Sequence, residues 1–318
     1  MISSPPLLSV CLITYNHGPY IKQAMDSILM QQVNFDWEII IADDYSTDNT
    51  QEIILKYKKE YPDLFRLIFQ EKNVGPARNW LDLKYASKAK YIAYIEGDDY
   101  WTDAFKLQKQ VDFLESNSEY SLSCHNAVKI NSQGISTNEF VLPTSEQVDY
   151  SAHDLMRGQW ILSCTICYRN VLGRLPNEIF STPNGDFFLS VLLGEHGASK
   201  FHHDISPSHY RIHDGGTWSN ISKLKQWSNQ AKTYLHVSKY FGRVHKKKYS
   251  LHYLDLYLKK CKDIYKLQLE NNETEEAKQN RKSALFQIFK MGGWRVYFVC
   301  RKQFTQLRSM IAKDQKLK

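Results

Sequence analysis

Through the first two hundred residues apolar runs alternate with amphipathic ones, the pattern of a mainly parallel sheet covered by helices. Residues 7–14 are a continuous apolar run of strand length that ends in the polar turn 15–19. Ile21, Ala24, Met25 and Ile28 then share one face of a helix predicted over 20–30. Further strands are predicted at 37–42, 64–69 and 91–95, with a helix after the second that takes Ser46, Thr47 or Asp48 as N-cap, and helices at 75–87 and 102–115. Beyond these come a strand over 120–130, a turn at 131–134 into another strand, and a short helix at 152–157. A strand at 161–168, a helix at 186–193 and a strand-like stretch up to Trp218 complete the series. From there to residue 268 the texture is helical and rich in Lys and Tyr, a polar stretch covers 270–276, and 281–318 is helical and basic. No internal repeat is present. The pattern predicts an α/β catalytic domain over 1–220 and a helical C-terminal region over 221–318, its basic amphipathic tail being 281–318.

Two strands end in paired carboxylates, Asp43-Asp44 and Asp98-Asp99. Open α/β sheets bind ligands beyond the carboxyl ends of their strands, so the acidic loops are where a site belongs. Like charges this concentrated need a positive partner to stay ionised, and a divalent cation is the natural one. Mg²⁺ and Mn²⁺ prefer oxygen ligands and are held by one or two carboxylates together with substrate phosphates. Either pair alone reads equally well as a solvated turn or a helix cap.

Thr14-Tyr15-Asn16, Asp43 to Asp48, Asn73 to Asn79 and Glu96 to Trp101 occur in this order, each at a strand end or a helix start. The set, over roughly residues 7–218, resembles the family 2 glycosyltransferases of the GT-A fold. That resemblance implies a Rossmann-like nucleotide-binding sheet with helices on both faces. It also implies a nucleotide-sugar donor, most simply a UDP-sugar, an Mn²⁺ or Mg²⁺ ion, and inverting transfer of a hexose to an acceptor hydroxyl of a bacterial surface polysaccharide, lipopolysaccharide or capsule. Residue by residue, Thr14, Tyr15 and Asn16 match the loop that packs on the nucleotide, and Asp44 the carboxylate that meets the base. Asp98 and Asp99 match the ribose and metal ligands, with Asp99 on the metal. Arg78 falls where the family places a basic side chain near the diphosphate, or pairs with Asp44 or Asp98. Asp186, in Asn184-Gly185-Asp186, matches the general base at a helix start, or serves only as an N-cap. His213, in Tyr210-Arg211-Ile212-His213, matches a histidine that approaches the metal. Two residues depart from the pattern: Gly185 replaces an acidic neighbour, and Tyr45 stands where Gly is common, so its loop is expected to avoid a glycine-only conformation. Trp101 is expected to stack on a sugar or to pack, and His125, His202 and His203 to be packed or surface groups.

Charge adds a second feature. Of 41 basic and 34 acidic residues, which leave a net charge of +7, the segment 281–318 alone carries net +9 and interleaves it with Trp294, Tyr297, Phe298 and Phe304. A basic amphipathic helix with aromatic residues predicts an anchor on an anionic membrane surface, close to a glycan or lipid-linked glycan acceptor; the alternative is a helix packed on the catalytic domain. No run of about 18 apolar residues occurs, and nothing at the N-terminus reads as a secretory signal, so the expected location is cytoplasmic, at the inner face of the cell membrane. The six cysteines are scattered as reduced core thiols are, and Cys164 and Cys167 lie in a predicted strand whose alternation sends them to opposite faces. No nucleic-acid module accompanies the charge. Two other functions fit parts of this pattern. A sugar nucleotidyltransferase would carry a Gly-rich, Arg-containing loop after the first strand, which 15–19 lacks; a catalytically silent, membrane-associated nucleotide-binding protein would bind UDP without turnover.

Overall fold

The first strand, β1 (Leu8–Thr14), is buried at every residue. It pairs in parallel with β2 (Trp37–Asp43) on one side and, across the sheet, with β4 (Tyr91–Glu96) on the other, while β3 (Phe65–Phe69) adds to the outer edge of β2. Between these strands run α1 (Ile21–Leu29), α2 (Thr50–Glu60) and α3 (Pro76–Ala86), followed by α4 (Lys106–Ser116). The structure is a computed structural model that describes residues 5–216, 218, 220–271 and 279–280; the tail 281–318 lies outside the described residues.

Leu8, Val10 and Leu12 of β1 pack with Ile39 and Ile41, with Ala93 and Ile95, and with Ile21, Met25 and Ile28 of α1 and Leu107 and Val111 of α4. Burying side chains of this size contributes about 1.5–3 kcal/mol each, which fixes α1 on the sheet and so fixes the loop between β1 and α1.

The second half completes two sheets. β5 (Tyr120–Cys124), β6 (Ala127–Ile130), β7 (Ser136–Phe140), α5 (Ala152–Met156), β8 (Cys167–Arg169), α6 (Gly185–Leu193), β9 (Ala198–Phe201) and β10 (Ser208–Arg211) follow in order. The central sheet runs β3-β2-β1-β4-β8-β5-β9, parallel except where β8 runs antiparallel between β4 and β5; β10-β6-β7 is a separate three-stranded sheet. This is the mainly parallel α/β architecture expected from the apolar pattern.

The expected strand over 120–130 is in fact two strands in different sheets. Asn126 breaks it: its Oδ1 accepts the N–H groups of Ala127 and Leu142 at 2.8 and 3.0 Å, and its Nδ2 donates to the Leu142 carbonyl at 3.0 Å. The expected strand at 161–168 is reduced to the start of β8 by a 3₁₀ turn, Ser163–Thr165, where the Trp101 Nε1–H donates to the Cys164 carbonyl at 2.8 Å. The helix after β2 starts later than expected. Asn49 is its N-cap without a side-chain bond, and Asp48 instead accepts from the Thr50 and Gly18 N–H groups.

Among the described residues, 5–174 with 189–216 form one compact unit, and 175–188 with those from 218 onward form a second. The second unit is built on a helical hairpin of α7 (Lys223–Arg243) and α8 (Lys247–Glu270), closed over Ala231, Leu235, Leu254, Tyr257, Leu258 and Ile264. No described helix is long and apolar enough to cross a membrane.

Candidate active site

The parallel register sets Thr14 beside Asp43 and Ile13 beside Glu96, so the loops after β1, β2 and β4 leave the same edge of the sheet side by side. Close approach requires Gly97: a Cβ there would lie 2.8 Å from Thr14 Oγ1 and 2.9 Å from His17 Nδ1. The first two loops are tied together. The Asn16 N–H donates to Ser46 Oγ at 2.8 Å, and the Thr47 N–H donates to Asn16 Oδ1 at 2.8 Å. Asn16 and Tyr45 both take positive φ, +53° and +65°. The expectation that Tyr45 would avoid the glycine-like region is therefore overturned: the loop keeps that conformation at a cost of about 1–2 kcal/mol for a side chain with a Cβ. Tyr45 and Tyr15 are the exposed aromatic residues of this rim.

Asp43 and Asp44 are both buried. Asp43 accepts from the Ser46 N–H at 2.9 Å, from Ser46 Oγ and from Gln51 Nε2, and Asp44 accepts from the N–H groups of Val74 and Gly75 at 2.6 and 2.9 Å. This pair is satisfied by neutral donors and needs no cation, which corrects the expectation drawn from its charge. An ionised carboxylate has about four acceptor sites, so Asp44 retains capacity for a further donor. Arg78 pairs with Asp82 one turn along α3, at 3.0 Å, rather than with Asp44 or Asp98.

The other pair is held differently. Asp99 is 2% exposed and turns inward, accepting the Arg211 N–H at 2.9 Å. Burial, then the negative charges of Asp98 and Glu96, push its carboxyl well above the usual range. Asp98 turns to the rim, where His213 Nε2 stands 3.0 Å from its Oδ2 and His17 Nε2 3.8 Å from the same oxygen. Burial would raise the Asp98 carboxyl, and the two imidazoles outweigh it and hold it below the usual carboxylate range. His17 is pushed down, chiefly by burial, with the charge of Asp98 opposing the shift. His17, Asp98 and His213 place one donor atom each within 4.8 Å of one another. Two imidazole nitrogens and one carboxylate oxygen are a competent divalent-cation donor set. The residues present fit a cation.

Arg211 braces this cluster. Its Nε donates to the Asp98 carbonyl at 2.9 Å, NH1 to the carbonyls of Asn131 and Ser132 at 3.2 Å each, and NH2 to Gln23 Oε1 at 2.7 Å. Its guanidinium lies 4.6 Å over the Tyr20 ring, which also packs edge to face with His213 at 4.8 Å and against His17 at 6.5 Å. The sequence reasoning missed His17, Tyr20 and Arg211. A histidine in the loop after β1 becomes significant only once β4 is known to be the neighbouring strand.

Trp101 is 1% exposed and packs beneath Lys106, so it belongs to the core. His125 and His202 are buried, and Cys164 and Cys167 are buried free thiols. Asp186 is the second residue of α6 and belongs to the second unit, where Asn184 just before it accepts from Thr233 Oγ1 at 3.1 Å.

The sequence profile described as Glycosyl transferase family 2 matches residues 9–169. An uncharacterized protein of Mycobacterium tuberculosis is 40% identical over 162 residues, 51% of this chain and 46% of the relative, so the chain spans about half the length of that curated relative. The UDP-Glc:alpha-D-GlcNAc-diphosphoundecaprenol beta-1,3-glucosyltransferase WfgD of Escherichia coli is 30% identical over 230 residues, 70% of this chain and 84% of WfgD. Two solved structures share the GT-A fold. S. aureus TarS residues 1–349 in complex with UDP-GlcNAc has a TM-score of 0.55 at 15% identity, over 80% of this chain and 81% of that one. The mannosyltransferase PcManGT of Pyrobaculum calidifontis, in complex with GDP-Man and Mn²⁺, has a TM-score of 0.50 at 13% identity, over 95% and 88%.

Proposed function

The chain belongs to glycosyltransferase family 2, and we propose that it moves one hexose from a UDP-sugar to a hydroxyl of a lipid-linked glycan during bacterial surface-polysaccharide synthesis, with a divalent cation at Asp98 and His213 and with inversion at the anomeric carbon. The observation that carries the reading is the convergence of Asp98 and His213, 3.0 Å apart, on the edge where β1, β2 and β4 end. WfgD, which by its name transfers glucose from UDP-glucose to a diphosphoundecaprenol-linked sugar, supports donor and acceptor class, and the Mn²⁺ of PcManGT supports the cation.

In this reading Thr14, Tyr15 and Asn16 border the nucleotide, and Asp44 holds the turn at Val74 and Gly75 and presents its remaining acceptor sites to the base. Arg78, whose side chain is 65% exposed, is free to reach the diphosphate in exchange for Asp82. A bound Mn²⁺ or Mg²⁺ would neutralise charge on the leaving diphosphate. The ligand role that the family resemblance gave to Asp99 passes to Asp98, because Asp99 is buried and turned inward toward the Arg211 backbone while Asp98 faces the two imidazoles. Asp186 takes the proton of the acceptor hydroxyl as that oxygen displaces UDP, and a single displacement inverts configuration. For the membrane-bound acceptor, residues 221–271 supply twelve basic and three acidic side chains, and Lys225, Lys232 and Lys239 recur on α7 at seven-residue spacing, all exposed. These add to the tail 281–318 as a surface for anionic lipid.

The test is melting of the full chain with UDP and Mn²⁺ together and apart, followed by turnover of UDP-sugars on a lipid-diphosphate sugar. Mn²⁺-dependent stabilisation by UDP with glycosidic product supports the reading. Stabilisation with no turnover of any UDP-sugar would leave a nucleotide-binding protein, and no response to UDP with Mn²⁺ would remove the donor site.

A further inference from the structure

We propose that His17 is a third protein ligand at the cation site, making it a two-histidine, one-carboxylate set that selects Mn²⁺, Fe²⁺, Co²⁺ or Zn²⁺ over Mg²⁺. The inference rests on the reading above that Asp98 and His213 hold a cation. Both imidazoles address the same carboxylate oxygen, His213 Nε2 at 3.0 Å and His17 Nε2 at 3.8 Å, and the two rings meet edge to face with centroids 6.1 Å apart. A single histidine is enough to pair one carboxylate oxygen, yet two converge on this one. One cation satisfies both lone pairs and the carboxylate together.

The position of His17 is built into the backbone. Its carbonyl accepts the N–H groups of Tyr20 and Ile21 at 2.8 Å each at the start of α1, and Gly97 leaves space for its ring where a Cβ would come within 2.9 Å of Nδ1. The side chains of His17, Asp98 and His213 are 16%, 17% and 7% exposed, shielded yet open to an entering ion. Mg²⁺ favours oxygen and an octahedral shell of waters and phosphates, whereas first-row transition ions accept imidazole readily. Carboxylates alone would leave Mg²⁺ competitive. Two imidazoles do not.

Chelator-stripped full-length protein is titrated with Mn²⁺ and Mg²⁺ by calorimetry, and Co²⁺ is followed by its visible absorption, all without donor. Wild type is expected to bind Mn²⁺ at least about tenfold more tightly than Mg²⁺, and His17→Gln to lose about tenfold or more in Mn²⁺ affinity with little change for Mg²⁺ and an altered Co²⁺ spectrum. His17→Asp, which returns an oxygen ligand, should regain cation binding with the preference moved toward Mg²⁺. Wild-type Mn²⁺ affinity and Co²⁺ spectrum in His17→Gln, or an unchanged Mn²⁺ to Mg²⁺ ratio in His17→Asp, overturns the proposal while leaving the cation reading intact, provided Asp98→Asn abolishes binding. If Asp98→Asn binds Mn²⁺ as wild type does, the cation reading fails and this inference with it.

Discussion

Strands β2 and β4 flank β1, run in the same direction and are each followed by a pair of adjacent aspartates, yet the two pairs are chemically opposite. Asp43 and Asp44 accept from neutral N–H and O–H donors of their own loop, of α2 and of the turn before α3. The Asp98 side chain is faced by the imidazoles of His17 and His213, and Asp99 is buried against β10 among like charges. The difference lies in what the neighbouring backbone offers. After β2, the chain turns so that Ser46, Val74 and Gly75 aim donors at the carboxylates. After β4, Gly97 brings the turn against the β1 loop, where the available groups are histidines. An acidic pair at a strand end is thus a staple when backbone donors converge on it, and in the reading proposed above a cation ligand where imidazoles face it instead.

The largest effects should separate the two pairs cleanly. Asp98→Asn is expected to lower transfer by about 10³-fold, the loss of several kcal/mol of cation-assisted stabilisation, while the melting temperature stays close to wild type. Asp44→Ala should instead cost about 2–4 kcal/mol of folding stability by stranding the Val74 and Gly75 N–H groups, with activity of the folded fraction falling only as far as the lost contact to the base weakens donor binding. Chemical denaturation of both variants beside a turnover assay checks the contrast. Equal melting in both variants would mean that Asp44 does not staple the turn at Val74 and Gly75.

Much of this was legible in the sequence because β1, β2 and β4 are unbroken apolar runs whose polar ends must emerge together once the sheet is parallel. The site followed from those ends. What could not be read depends on single side chains acting across the fold. Asn126 switches the chain between sheets with hydrogen bonds to Leu142, and no periodicity marks it. Adjacent residues point in opposite directions, so nothing in Asp98-Asp99 itself tells which one faces outward. His17 and Arg211, 194 positions apart, meet through Tyr20 and Asp98 only after β10 joins β6.

An intermediate effect is expected at Arg211, the brace of the ligand pair. Lysine keeps the charge but not the fork that reaches the Asp98, Asn131 and Ser132 carbonyls and Gln23 at once. Arg211→Lys should weaken Mn²⁺ binding and lower kcat by about tenfold, roughly 1.4 kcal/mol, with a smaller change in KM for the UDP-sugar. Metal affinity by calorimetry and a kcat against KM comparison distinguish loss of positioning from general loosening, which would change melting and leave the affinity of the folded fraction intact.

The smallest effect belongs to Asp99, and its sign sharpens the contrast with Asp98. Its folded-state affinity for a proton is raised by burial and by Asp98 and Glu96, so folding takes up a proton over the interval between the ordinary aspartate value and the raised one. The stabilising contribution of this group is therefore complete below the unfolded value and is lost as pH rises through the folded one. Asparagine preserves the oxygen that accepts the Arg211 N–H and carries no proton to lose. Asp99→Asn should accordingly match wild type within about 1 kcal/mol at acidic pH and gain on it as pH rises toward neutrality, the variant curve being the flatter of the two. Denaturant midpoints from pH 4 to pH 8 measure this. A variant that falls further behind wild type as pH rises would mean that Asp99 is ionised in the folded protein and shares the outward role given to Asp98.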